Sequence, residues 1–100
     1  MGTASFCIGI KTMPYWTYVL KSKSDGKLYI GSTADLERRL ERHNSGRVTS
    51  TKGGVPWDII GHFEHKDRAQ AVRMEKKLKS WKNPSKVIAF LIEIGKSKED

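Results

Sequence analysis

Cysteine is nearly absent from this sequence: among its 100 residues, only Cys7 carries a thiol. One cysteine excludes an internal disulfide framework and any zinc site built from several cysteines, and it fits a reducing, cytoplasmic compartment. The longest uncharged apolar run, Val87 to Ile92, is far shorter than the ~20 residues of a membrane-spanning helix. Residues 1–13 also lack the basic start and long apolar stretch of a signal peptide. We therefore expect no membrane partner.

Acidic residues are in the minority, since 11 Asp and Glu stand against 19 Lys and Arg, giving a formal net charge of +8 at pH 7. A basic surface of this kind favours a polyanionic partner, with nucleic acid the first candidate. Three Trp, three Tyr and three Phe argue against a disordered chain. The length suits one domain with one modest core.

The pattern along the chain predicts a small α/β (α+β) domain in the order β-β-α-β-α-α, with a three-stranded antiparallel or mixed sheet flanked by helices. The predicted elements are strands at 15–21, 27–31 and 57–64, and helices ending near 44, spanning 66–82 and spanning 87–94. The segment 87–94 is apolar except for Glu93, so its period alone does not separate helix from strand; we favour a helix capped by Ser85. We expect residues 14–95 to form the domain, between a flexible leader, 1–13, and a flexible tail, 96–100.

The sequence Ser-Asp-Gly at 24–26 predicts a hairpin between the first two strands. A loop of two or four residues puts Tyr18 and Tyr29 on the same face of the hairpin, whereas a loop of three residues separates them. We favour the two-residue loop Asp25-Gly26. Ser32 or Thr33 is the expected cap of the helix that follows, and Gly46 its expected end.

Several polar side chains border faces that should be buried. On the first helix, Arg39 and His43 lie beside the stripe of Leu36 and Leu40, where an arginine can extend to solvent and a histidine can pack on the sheet, or both can serve a site. On the second long helix, Glu75 lies within the apolar arc. A carboxylate there needs a structural ion pair, for which Arg39 is a candidate, or a metal ion.

The same residues carry a resemblance to the GIY-YIG nuclease superfamily. The first tripeptide, Trp16-Thr17-Tyr18, keeps only the tyrosine of that motif, and the second, Tyr29-Ile30-Gly31, is intact. Arg39 matches the arginine of the family's helix, His43 the histidine one turn later, and Glu75 the distant metal-binding glutamate. The chain is similar to small stand-alone bacterial members. It is also similar to the N-terminal nuclease domain of the excinuclease that makes the 3′ incision in bacterial nucleotide excision repair, which has a lysine where Ser32 stands.

The resemblance implies a metal-dependent endonuclease that hydrolyses DNA phosphodiester bonds, with a role in DNA repair or recombination. Its implied catalytic residues are Tyr18, Tyr29, Arg39, His43 and Glu75. Glu75 would hold Mg²⁺, with Mn²⁺ as a substitute, and Arg39 would neutralise charge on the phosphoryl oxygens. We assign Tyr18 as the base and Tyr29 as the orienting group. Because a free tyrosine titrates near ~10, a base role requires adjacent cations or relay to His43.

Other polar residues should contact the nucleic acid outside the reacting centre. The expected set is Lys21, Lys27, Ser32, Arg42, Arg47, Lys52, Lys79 and Asn83. Two alternatives stay open: a DNA-binding module that keeps the nuclease fold without turnover, and an enzyme that processes RNA. A homodimer or a protein partner is compatible with the sequence.

Overall fold

The computed structural model describes residues 14–99, and the side chains of residues 14–94. Its three strands and three helices follow one another in the predicted order. The elements are β1 (Tyr15–Ser22), β2 (Leu28–Thr33), α1 (Leu36–Asn44), a 3-10 turn (Lys52–Gly54), β3 (Trp57–His65), α2 (Arg68–Ser80) and α3 (Pro84–Glu99). The α+β architecture is confirmed, and the segment 87–94 is helical. The predicted leader lies outside the described residues. No helix within 14–99 has the length and apolar character needed to cross a bilayer.

The sheet is antiparallel throughout, with β1 in the middle and β2 and β3 at the edges. Four successive β1 residues, Thr17 to Leu20, are buried, because the central strand is covered on both faces. On one face, Tyr18, Leu20 and Trp57 pack against α1. On the other face, Val19 and Ile30 pack against α2 and α3. Two small cores therefore share one sheet.

A β-bulge lets β3 contribute to both cores. Leu20 pairs with Ile59 but Val19 pairs with Gly61, so Ile60 is the additional residue. Without the bulge, Trp57, Ile59, Gly61 and Phe63 would all point to one face. With it, Trp57 and Ile59 face α1, while Gly61 and Phe63 face α3.

The loop of the β1–β2 hairpin has four residues, 23–26, so the prediction of a two-residue loop was wrong. The N–H of Ser22 donates to the carbonyl of Lys27 at 2.9 Å, which closes the loop. The Ser22 hydroxyl accepts from the N–H groups of Ser24 and Asp25, and this buried side chain favours the longer turn. Tyr18 and Tyr29 still share a face, as predicted, because two and four residues give the same alternation.

The helix caps differ from those predicted. Asp35, rather than Ser32 or Thr33, caps α1, because its carboxylate accepts from the Arg38 N–H at 3.1 Å. Thr33 lies at the end of β2, where its hydroxyl accepts from the Asp35 N–H. The side chain of Asn83, rather than that of Ser85, accepts from the first N–H groups of α3. After α1, Gly46 has a φ of 79°, consistent with its predicted role as a stop.

Candidate active site

The Tyr18 ring lies directly over Gly31, its partner across the β1–β2 pair. Tyr18 is 1% exposed, and a Cβ atom on Gly31 would lie 2.6 Å from its hydroxyl oxygen. No side chain larger than hydrogen therefore fits at position 31 while Tyr18 keeps this orientation. The glycine of the second tripeptide is explained by this close approach.

His43 holds the Tyr18 hydroxyl from the α1 side. Its Nε2 lies 3.1 Å from the tyrosine oxygen, and its Nδ1 lies 2.8 Å from the Thr51 hydroxyl oxygen. Burial, and next the positive charges of Arg39 and Arg42, lower the pKa of His43 below its ordinary value of 6.5. The imidazole is therefore neutral at pH 7. A proton on Nδ1, donated to the Thr51 hydroxyl oxygen, leaves Nε2 to accept from Tyr18, and we assign this tautomer because the Thr51 hydroxyl then faces the Val48 carbonyl at 3.5 Å.

Thr51 is a site residue that the sequence did not reveal, since it lies in the polar loop after α1. Thr51 is 1% exposed, and its backbone carbonyl accepts from the Trp57 indole N–H at 2.9 Å. The Asn44 side chain in turn accepts from the Trp57 N–H and donates to the Trp57 carbonyl. The start of β3 thus fixes the loop that orients His43.

Tyr29 and Arg39 complete the cluster on the α1 face. The Tyr29 ring centroid lies 4.8 Å from that of His43 and 6.3 Å from that of Tyr18. Burial and the neighbouring Tyr29 raise the pKa of Tyr18 well above its ordinary value of 10.0, while the Arg39 guanidinium acts in the opposite direction. Arg39 is half-buried, so it can meet an anion from solvent.

Glu75 reaches the same strand from the opposite face of the sheet. One carboxylate oxygen accepts from the Ser32 hydroxyl at 2.8 Å, and the other pairs with the Lys79 ammonium at 2.7 Å. Of the two alternatives for Glu75, an ion pair is present, but its partner is Lys79, four residues along α2, and not the candidate Arg39. The side chain of Glu75 is 18% exposed. Because Gly31 and Ser32 are adjacent on β2, the Tyr18 hydroxyl and the Glu75 carboxylate approach neighbouring points of one sheet edge.

Glu75 is the single carboxylate that the candidate site offers to a divalent ion. Among the described residues, no three His, Cys, Asp or Glu side chains are grouped as a metal site. One partly exposed carboxylate suits Mg²⁺, which keeps most of its waters and takes remaining ligands from a substrate phosphate. Glu75 fits that role, since its side chain is 18% exposed and the ammonium group beside it, that of Lys79, is on a side chain 51% exposed to solvent.

The predicted contact residues fall into separate groups. Arg38, Arg39, Arg42 and Arg47 line a cleft of about 790 Å³ beside α1, which we name the α1 cleft. Arg38 is exposed to solvent and contributes to this wall. Lys79 and Asn83 line a second cleft, of about 390 Å³, between β2 and the turn that joins α2 to α3; we name it the α2–α3 cleft.

The remaining predicted contacts lie apart from both clefts. Lys21 lines a groove with Ile60 and Leu91. Lys27 follows the hairpin turn, and Lys52 begins the 3-10 turn next to Thr51. Ser32 is bound to Glu75. The structure thus gathers Tyr18, Tyr29, Arg39 and His43 on one side of β2 and Ser32, Glu75 and Lys79 on the other.

The sequences of known proteins are similar to this chain along most of its length. The family model described as the GIY-YIG catalytic domain matches residues 14–87. A UPF0213 protein of Bacillus pumilus is 36% identical over 73 residues, which cover 72% of this chain and 74% of that protein. A UPF0213 protein of Nitratidesulfovibrio vulgaris is 37% identical over 81 residues, covering 80% and 73%.

Two further comparisons are a eukaryotic relative and a solved structure. The structure-specific endonuclease subunit slx1 of Schizosaccharomyces pombe is 49% identical over 51 residues, which cover 45% of this chain and 19% of that protein. The solution NMR structure of a UPF0213 protein from Bacillus halodurans has 28% identity and a TM-score of 0.49, covering 82% of this chain and 85% of that chain.

Proposed function

The chain belongs to the GIY-YIG catalytic domain family, and from this membership we propose that it is a metal-dependent endonuclease that hydrolyses phosphodiester bonds in DNA. The observation that carries the proposal is the buried hydrogen bond between Tyr18 and a neutral His43, beside the edge of β2 that Glu75 reaches from the other face. The similarity to an endonuclease subunit of Schizosaccharomyces pombe supports the same activity.

Tyr18 and His43 together supply the base. A Tyr18 phenolate is not populated at neutral pH, because burial and Tyr29 raise the pKa of its hydroxyl. Instead, the Tyr18 oxygen takes a proton from the attacking water while its own proton passes to Nε2 of His43, 3.1 Å away. The water oxygen forms its bond to phosphorus, the bond from phosphorus to the leaving oxygen breaks, and the leaving oxygen takes a proton from solvent. The His43 imidazolium then returns its extra proton to solvent. His43 keeps its Nδ1 proton and donates it to the Thr51 hydroxyl oxygen at 2.8 Å, and this hydrogen bond stabilises the imidazolium.

Arg39 and Tyr29 act on the substrate. The Arg39 guanidinium, which borders both Tyr18 and the α1 cleft, neutralises the charge that develops on the phosphoryl oxygens. Tyr29 packs on His43 and directs the water toward Tyr18. Glu75 would hold Mg²⁺ or Mn²⁺ through one carboxylate oxygen, and the bound ion would supply charge stabilisation at the phosphate. Ser32 orients that carboxylate, and Lys79 offers its ammonium to a phosphate.

The α1 cleft is the proposed track for the phosphate backbone of DNA. Four arginines line it, against two carboxylates, those of Asp35 and Glu41. Guanidinium groups bind phosphates in two-pronged geometry, and they attract any nucleic acid irrespective of its sequence. A role in DNA repair or recombination, a cytoplasmic location, and a homodimer or protein partner stay predictions from the sequence.

Replacement of Glu75 by Gln tests the proposal most directly. The Glu75→Gln side chain keeps its shape and can still accept from Ser32, but it loses the charge that holds the cation. We expect nicking of supercoiled plasmid in Mg²⁺ or Mn²⁺ to fall below detection, with binding in EDTA within about twofold of the native protein, because Lys and Arg contacts dominate affinity. The matched control is Glu64→Gln, an exposed change on β3.

Three outcomes would redirect the assignment. Unchanged nicking by Glu75→Gln would remove Glu75 as the essential ligand. Binding without cleavage by the native protein, on plasmid and on branched DNA, would favour the DNA-binding module that keeps the fold. Cleavage of RNA but not DNA oligonucleotides would favour the RNA-processing alternative.

A further inference from the structure

The α2–α3 cleft differs in character from the α1 cleft. Its walls are apolar, with Leu28 and Ile30 of β2 on one side and Pro84 and Val87 of α3 on the other. Its rim carries Lys79 and Lys82. The volume of about 390 Å³ lies within the range of small-ligand sites.

The rim joins this cleft to the edge of β2 at which Glu75 binds Ser32. Lys79 lines the cleft and also pairs with Glu75. Tyr29 lines the cleft and packs its ring on His43 of the candidate active site. Lys82 is exposed, and within residues 14–94 it forms no ion pair. A nucleotide adjacent to a phosphate at Glu75 would therefore meet an apolar slot flanked by ammonium groups.

We propose that the α2–α3 cleft binds an unstacked nucleobase next to the scissile phosphate, with Lys82 on the phosphate of that nucleotide. The inference rests on the proposed nuclease function and adds a preference for sites with an unpaired nucleotide. A bare phosphate makes no use of the apolar walls, and an apolar ligand makes no use of the two lysines. A nucleobase joined to a phosphodiester uses both, and only an unstacked base presents its face to such walls.

Two variants separate the base contact from the phosphate contact. Leu28→Ala removes part of one wall at a half-buried position. Lys82→Gly removes the rim charge without harming the fold, because Lys82 has a φ of 50°, a conformation that glycine adopts without strain. Lys77→Ala, an exposed change on α2 outside the cleft lining, is the matched charge control.

The experiment measures affinity by fluorescence anisotropy in EDTA, where no cleavage occurs. Three DNA duplexes of equal strand length are compared: fully paired, with one unpaired adenine at the centre, and with one unpaired abasic nucleotide there. We expect the native protein to bind the unpaired adenine at least about fivefold more tightly than either other duplex, the lower end for stacking of one base. The abasic duplex keeps the flexibility of the bulge but lacks the base.

The variants should act selectively. Leu28→Ala should abolish the preference for adenine and leave affinity for the paired duplex unchanged. Lys82→Gly should weaken binding of the adenine duplex more than that of the paired duplex, whereas Lys77→Ala should affect both equally. Equal native affinity for the adenine and abasic duplexes, or an intact preference in both cleft variants, would overturn the base site. Failure of the nuclease proposal is distinct, since it is read from plasmid nicking and not from this preference.

Discussion

The Tyr18 hydroxyl has to lose a proton to act on water, yet burial and the neighbouring Tyr29 raise its pKa far above neutrality. The neighbour at 3.1 Å resolves this conflict, because His43 is kept neutral by burial and by two arginines. A neutral imidazole can accept the proton that the Tyr18 hydroxyl loses. In the proposed mechanism, the Tyr18–His43 pair, rather than either side chain alone, therefore acts as the base.

Arg38 and Arg39 offer a matched comparison, because each variant loses one positive charge and both side chains line the α1 cleft. Arg39 also acts on Tyr18, so Arg39→Ala should lower single-turnover cleavage by about 10²–10³-fold, as for other placed donors. Arg38→Ala should leave cleavage by bound enzyme nearly unchanged and reduce the salt slope of DNA binding by about one unit. Quenched-flow cleavage and binding titrations at several salt concentrations measure the two effects.

Equal loss of cleavage in the two variants would contradict this assignment and make general electrostatics the cause. A loss of stability in Arg39→Ala, with normal cleavage by the folded fraction, would instead mean that Arg39 merely packs beside the apolar stripe.

Which site residues the sequence could reveal depends on local periodicity. Arg39 and His43 were placed beside the apolar stripe by 100° steps along one helix, and the structure has His43 buried and Arg39 half-buried. Thr51 could not be found this way, because its contact with His43 depends on a loop that Trp57 anchors from another element. The Lys79 partner of Glu75 was within reach, since four residues separate the two on α2.

At the scale of single elements, β2 depends on the absence of a side chain at position 31. In Gly31→Ala, the new Cβ would lie 2.6 Å from the Tyr18 oxygen, so the ring or the strand must move. We expect a loss of about 1–3 kcal/mol of unfolding free energy, as for other overpacked cores, together with a large loss of cleavage by the folded protein. Urea denaturation and single-turnover cleavage measure the two effects.

Gly53→Ala is the control, because nothing lies within 4 Å of a Cβ built there. A Gly31→Ala protein that is as stable and as active as the native one would show that Tyr18 does not need its position over β2.

Features of the strands and helices could be predicted where they depend only on whether a loop length is even or odd, or on the hydrophobic period of a helix. The hairpin face was correct despite the wrong loop length, because only an odd loop moves Tyr29 to the other face. The bulge at Ile60 was not predicted, although Ile60 interrupts the alternation of Trp57, Ile59 and Phe63 and the isolated Gly61 is a residue typical of a bulge. The cap of α1 was misplaced because Ser32 and Thr33 belong to β2, which extends to Thr33 and leaves Asp35 at the first turn.

For the whole molecule, His43 and Tyr18 set limits on the pH range of full stability. Because the pKa of His43 is lowered, the unfolded chain binds its proton first, and the stability is lost as pH falls below about 6.5 toward the folded-state pKa. Because the pKa of Tyr18 is raised, its contribution is lost as pH rises above about 10. Urea denaturation from pH 5 to 10.5 should give a plateau between these values, with slopes of at most about 1.4 kcal/mol per pH unit per group.

Two variants test whether His43 causes the loss of stability at acid pH and Tyr18 the loss at alkaline pH. His43→Gln should flatten the acid side relative to the native protein, since His62 and His65 remain in both. Tyr18→Phe should flatten the alkaline side. An unchanged acid slope in His43→Gln would mean that His43 is not held neutral in the fold.

The division of the site between the two faces of the sheet makes catalysis a test of complete folding. α1 and its small core hold Arg39 and His43, while α2 and the other core hold Glu75. If α2 and α3 detach transiently, the α1 side keeps its arginines and can still hold a nucleic acid, but it lacks the only acidic side chain of the proposed site. A partly unfolded copy of the proposed enzyme would therefore bind nucleic acid without cleaving it, and hydrolysis would require both faces of the sheet to be assembled.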